Sequence, residues 1–141
     1  MAEMSEQKLK ELQRAYMEMQ AIDQQLKMAG QQIAALDQQV EEINTISGSV
    51  GDMGGVSSGT ELFVPLANGI FAKAKLADSK ELLVNVGAGI VVPKSVADVR
   101  SLLSEQVERV LAARKDVNEK MEELAKHSKK LQARLGKLIE D

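Results

Sequence analysis

Two interleaved sets of apolar residues, each recurring every seventh position, restrict what this chain can fold into more than any other feature. Steps of seven from Leu12 reach Met19, Leu26, Ile33 and Val40, and steps of seven from Ala15 reach Ile22, Ala29, Leu36 and Ile43. The two sets lie three residues apart, which is the a/d spacing of a coiled coil held over about four heptads. The C-terminal third repeats the behaviour with Leu103, Val110, Val117, Leu124, Leu131 and Leu138 on one seam. Its companion seam, Val107, Arg114, Met121, Ser128 and Leu135, is polar at alternate steps, which lowers stability and fixes register. Helices over about residues 5–44 and 95–139 would be roughly 60 and 67 Å long. Helices of matched length joined by a compact insert predict an antiparallel coiled-coil hairpin; a parallel dimer also satisfies the heptads. The hairpin sets the acids Glu3, Glu6, Glu11 and Glu18 beside the bases Lys126, Lys129, Lys130, Arg134 and Lys137, so charge asymmetry becomes pairing.

The middle of the chain decides between these forms. Residues 1–46 read as the first helix, and 47–60 as a linker, because SGSVGDMGGVSSG holds five of the ten glycines and four serines. Such a stretch predicts a flexible connection that ends the helix. Residues 61–94 then contain an internal repeat, ELFVPLANGI followed twenty positions later by ELLVNVGAGI. Apolar residues alternate on either side of each glycine turn, the period-two pattern of a β-hairpin. A three-residue loop in each copy (67–69 and 87–89) would pair Leu66 with Ile70, Val64 with Ala72, Val86 with Ile90 and Val84 with Val92, giving one wholly apolar face. Two isolated hairpins are marginal in water and leave strand edges unpaired, so strands from other chains are required. Leu62, Val64, Leu66, Ile70, Leu82, Val84, Val86, Ile90 and Val92 are the expected oligomerisation residues, closing into a β-barrel-like platform. Phe63, Phe71, Leu83 and Val91 fall on the opposite face. The second helix takes 95–141, and the fold class is α+β.

Composition removes several functions. There is no Cys, hence no disulfide, thiolate metal site or cysteine nucleophile, and the single His127 sits among lysines on a solvated helix face. The adjacent pairs Glu41-Glu42 and Glu122-Glu123 do not face one another on a helix, so no acid/base pair is offered. Aromatic content is 2 % and net charge −3, which argues against a nucleic-acid partner. No run approaches the roughly 18 apolar residues that cross a bilayer, and the expectation is a cytoplasmic protein without catalytic, cofactor or metal sites. One stretch, VGAGIVVPKS, imitates a phosphate loop. That motif needs glycine at the positions of Ala88 and Pro93, and Pro93 has no N–H to give a phosphate. Ser95 with Asp98 three residues later reads instead as a helix-capping pair.

Heptad helix, the segment ELFVPLANGIFAKAKLADSKELLVNVGAGIVVPKS, and a second heptad helix together resemble the α-type subunits of archaeal prefoldin over essentially the whole chain. The LFVPL strand, the AKAKL strand and the VGAGIVV turn carry the resemblance. Two hairpins, rather than one, separate α-type from β-type subunits in that family. The resemblance implies a hexamer of two α and four β subunits. It also implies an ATP-independent chaperone that captures unfolded proteins and passes them to a group II chaperonin. On such a hairpin the chain ends fray, and Leu9, Leu12, Leu131, Leu135, Leu138 and Ile139 are the expected client contacts, with Met1, Met4 and Met17 as adaptable additions. A structural coiled-coil scaffold or adaptor, and a filament-forming prefoldin-like paralogue, are the alternatives.

Overall fold

The computed structural model describes residues 5–140, and the order of elements is helix, two hairpins, helix. Helix α1 spans Glu6–Gly54, strands β1 Glu61–Ala67 and β2 Ile70–Lys75 form one hairpin, and β3 Glu81–Gly87 and β4 Ile90–Ser95 form another. Helix α2 spans Val96–Glu140. The chain divides into two compact units, one from the chain up to Gln38 with everything from Leu111 onward, the other Gln39–Val110.

In the first unit α1 and α2 pack by the predicted seams. Ala15, Ile22 and Leu131 form the buried cluster, with Met19, Leu26, Leu124 and Leu135 half-buried against it. Asp37 accepts a 2.7 Å charge-assisted bond from the Nε of Arg114, so residue numbers fall along one helix as they rise along the other. The helices are therefore antiparallel, and Arg114, a polar seam residue, pins the register where an apolar side chain would slide. Among the described residues the expected pairing of terminal charges is not made; Glu3 lies outside them. Glu6, Glu11 and Glu18 form no ion pair with the C-terminal bases among the described residues, because they occupy exposed positions where water solvates both partners. Ser5 opens α1 by accepting the Lys8 N–H at 3.2 Å.

The second unit corrects the linker. The segment expected to be a flexible connection from residue 47 is helical to Gly54. Heptad phase explains this: Val40 leads to Ser47 and Gly54, and Ile43 leads to Val50, all of them half-buried. Small residues there let α1 approach α2 closely. A Cβ on Gly54 would lie 3.4 Å from Val96, one on Gly51 would lie 3.1 Å from the Arg100 guanidinium, and Arg100 Nε donates to Ser47 Oγ at 3.4 Å. Packing thus overrides a composition that disfavours helix. Gly55 and Val56 then donate to the carbonyls of Asp52 and Met53, each at 3.1 Å, tightening the last turn before the chain leaves. Gly48 faces open space, so Gly48→Ala is expected to raise stability by about 0.5–1 kcal/mol and to slow amide exchange over 45–54. Faster exchange there would show that the segment needs glycine.

Each hairpin forms its own two-stranded antiparallel sheet, and β2 and β3 are not paired. The pairs Val64↔Ala72 and Val84↔Val92 stand as expected. The turns do not. Ala67 pairs with Ile70 and Gly87 with Ile90, which displaces Leu66 and Val86 into bulges and leaves two-residue turns. In the second turn Ala88 (φ 51°) and Gly89 (φ 74°) are both left-handed, the pattern of a primed turn whose twist matches the strands. Asn85 Oδ1 accepts the Gly87 N–H at 2.9 Å, giving the bulged backbone a partner.

Candidate functional site

The phosphate-loop imitation resolves first. Ala88 and Gly89 form a hairpin turn, Lys94 lies in β4 opposite Leu82, and the Asp98 N–H donates to Ser95 Oγ at 3.1 Å to cap α2. The glycines lie in the turn before β4 and the Lys-Ser pair at its far end, so they do separate work.

The hairpins are the first surface of interest. Of the nine expected oligomerisation residues, Val64, Leu66, Ile70, Val86 and Ile90 are exposed, while Leu62, Leu82, Val84 and Val92 are half-buried. The opposite face is no better covered. Phe63, Phe71, Leu83 and Val91 all stand in solvent, Leu83 at 74 % exposure, and Phe63, Phe71 and Lys73 line a shallow depression. A sheet that is apolar on both faces, with open edges besides, belongs inside something larger. The sequence emphasised the Val64/Val84 face, but the other carries the largest side chains. Phe63/Phe71 and Leu83/Val91 alternate with the first set, which is how they are found.

The second surface lies in the first unit, near the chain ends. Leu9 is exposed, Leu12 half-buried, and together with Tyr16, Met17, Gln13 and Gln20 they line an open groove along α1. Met17 is 71 % exposed. On α2, Ile139 is exposed, and Leu135 and Leu138 are half-buried. Leu131 is a correction: at 4 % exposure it belongs to the buried cluster with Ala15 and Ile22, and a closed hairpin does not offer it to a ligand. Met1 and Met4 lie outside the described residues. Tyr16 was not singled out from the sequence, although it stands one heptad beyond Leu9, and this flanking repeat beside the a seam is the signal for it.

Among the described residues no group of three or more His, Asp or Glu could hold a metal, and no helix is long and apolar enough to cross a membrane. What the two surfaces can do is bind apolar matter.

A family model described as Prefoldin subunit matches residues 22–141. The prefoldin subunit alpha of Methanococcus aeolicus is 29 % identical over 120 residues, spanning 82 % of this chain and 83 % of the relative. The prefoldin subunit alpha 1 of Methanocaldococcus jannaschii is 32 % identical over 116 residues, spanning 82 % and 79 % respectively. Among solved structures, a chain of filamentous PFD from Methanocaldococcus jannaschii, determined by cryo-EM, superposes with a TM-score of 0.76 over 84 % of this chain and 98 % of its own. At 16 % identity that likeness establishes the fold.

Proposed function

We propose, from the premise that this chain belongs to the prefoldin subunit family, that it is the α-type subunit of an ATP-independent chaperone assembly. The hairpins join it to β-type subunits, two α with four β. The apolar groove near the chain ends takes hold of unfolded proteins for transfer to a group II chaperonin. The observation carrying the chaperone reading is the groove of Leu9, Leu12, Tyr16 and Met17, since unfolded chains expose apolar side chains that folded ones bury. Gln13 and Gln20 line the same groove, which suits a surface that must hold many sequences weakly. Several weak contacts from different subunits on one client raise avidity through effective concentration, while each contact alone still releases.

The test exchanges the exposed members of the groove. Leu9→Ser/Tyr16→Ser/Met17→Ser in the assembled complex is expected to keep the native mass and helicity while losing most protection of a chemically denatured client against aggregation, read by light scattering. Protection equal to the parent assembly's would place client binding elsewhere. A scaffold without chaperone activity predicts no protection by either protein.

A further inference from the structure

The fold holds three of the chain's four asparagines in place and leaves the fourth open. Asn44 lies in α1 and Asn118 in α2, so the N–H of the residue that follows each, Thr45 and Glu119, is committed to a helical hydrogen bond. Asn85 lies in β3, is followed by the β-branched Val86, and its Oδ1 accepts the Gly87 N–H at 2.9 Å. Asn68 stands exposed in the first hairpin turn, and among the described residues neither its side-chain amide nor the Gly69 N–H makes a hydrogen bond. Gly69 has a φ of 76°, so the turn requires glycine there, and a Cβ on it would find nothing within 4 Å. The turn therefore sets an unheld asparagine amide beside an unhindered backbone nitrogen, in open solvent.

We propose that Asn68 is a site of spontaneous deamidation, which ages through a succinimide to isoaspartate and aspartate. The Gly69 nitrogen gives up its proton to water or hydroxide and attacks Asn68 Cγ. A new C–N bond forms, the Cγ–Nδ2 bond breaks, and ammonia leaves. Water then adds to one of the two ring carbonyls. Opening at Cγ gives aspartate, and opening at the main-chain carbonyl gives isoaspartate, in which the chain runs on through the former side chain. Water enters and ammonia departs, with no oxidant, reductant or cofactor. The two products differ in consequence. Aspartate adds a negative charge at an exposed position, where water solvates it. Isoaspartate adds a main-chain carbon between Ala67 and Ile70, which pair directly across the turn. Turn length fixes hairpin register, so the added carbon loosens that pair and frays β1 from β2. The second hairpin carries Ala88 at the corresponding place, so only one of the two repeated hairpins ages in this way. The inference requires neither the assembly reading nor the client reading above.

The test incubates the full-length chain in mildly alkaline buffer, folded and in urea, and follows each asparagine by peptide mass spectrometry, with isoaspartate scored by electron-transfer fragmentation. In the folded chain Asn68 is expected to convert at least about ten-fold faster than Asn44, Asn85 or Asn118, because each of those must first be released by local opening. Its folded rate should lie within about three-fold of its rate in urea, where no opening is needed. Both rates should rise with pH, since the Gly69 nitrogen must lose a proton. A folded rate at Asn68 about ten-fold or more below the urea rate would show that the turn protects the amide and would overturn the proposal. Conversion at Asn85 as fast as at Asn68 in the folded chain would overturn it too. Asn68→Gln, whose longer side chain closes its ring far more slowly, should lose the reaction while keeping the helicity of the parent. Aged chains enriched in isoaspartate by ion exchange should show amide exchange over 61–75 about ten-fold faster than Asn68→Asp chains. Equal exchange in the two would contradict the fraying assigned to isoaspartate.

Discussion

Val84→Asp leaves the chain helical and monomeric. Val84 is half-buried on β3 opposite Val92, and its counterpart Val64 on β1 is 43 % exposed opposite Ala72. In the single chain a carboxylate at either place reaches water, so the helices and their seams are untouched. Once other strands close over that face the carboxylate is buried without a partner, at a cost of several kcal/mol. A cost of about 3 kcal/mol or more lowers association at least ~100-fold, enough to dissolve an assembly at micromolar concentration. Size-exclusion chromatography with light scattering should report the mass of one chain, with circular dichroism still strongly helical. The parent mass would move the oligomerisation surface away from the hairpins. The same substitution at Leu83 probes the opposite face, whose exposure is greater still.

Leu131→Ala is the largest expected loss in the coiled coil. Its side chain is 4 % exposed and packs in one cluster with Ala15 and Ile22, against which Met19 and Leu26 lie half-buried. Truncating a leucine so placed costs about 2–4 kcal/mol, the methylenes lost plus the cavity left. A drop of about 10 °C in melting temperature follows, with faster amide exchange over residues 10–25 and 125–138. Ile139→Ala, at an exposed position on the same helix, should stay within about 0.5 kcal/mol. Equal effects from the two would mean that the seam does not close where the buried cluster places it.

The helices were legible because a seven-residue repeat leaves a record at every turn. Leu12 to Val40 and Ala15 to Ile43 are covered, and the same holds for Leu103 to Leu138. That record also ran on through Ser47, Val50 and Gly54, but glycine and serine supply so little burial of their own that composition outweighed phase. What holds the segment is the close approach of Val96 and Arg100 at the start of α2, a contact distant enough in sequence that no local window contains it. The hairpins were legible from alternation and from the repeat. Their turns were not, since a two-residue turn with a bulge and a three-residue loop place the same residues within one position of each other; the left-handed backbone at Ala88 settles the second turn. Leu131 shows the limit of reading a site from distance to the chain end. It stands ten residues from the terminus, yet Ala15 and Ile22 cover it, while Tyr16, deeper in its helix than Leu12, is exposed.

The central claim is that the hairpins of this chain complete their sheets with strands from other prefoldin-type subunits. Native mass spectrometry of the full-length chain mixed with a prefoldin β-type subunit tests it most directly. The account predicts a single closed complex of six chains, two of this one and four of the β type, absent when Val84→Asp replaces the parent chain. A mixture that shows only this chain's own mass beside free β-type subunit would contradict it.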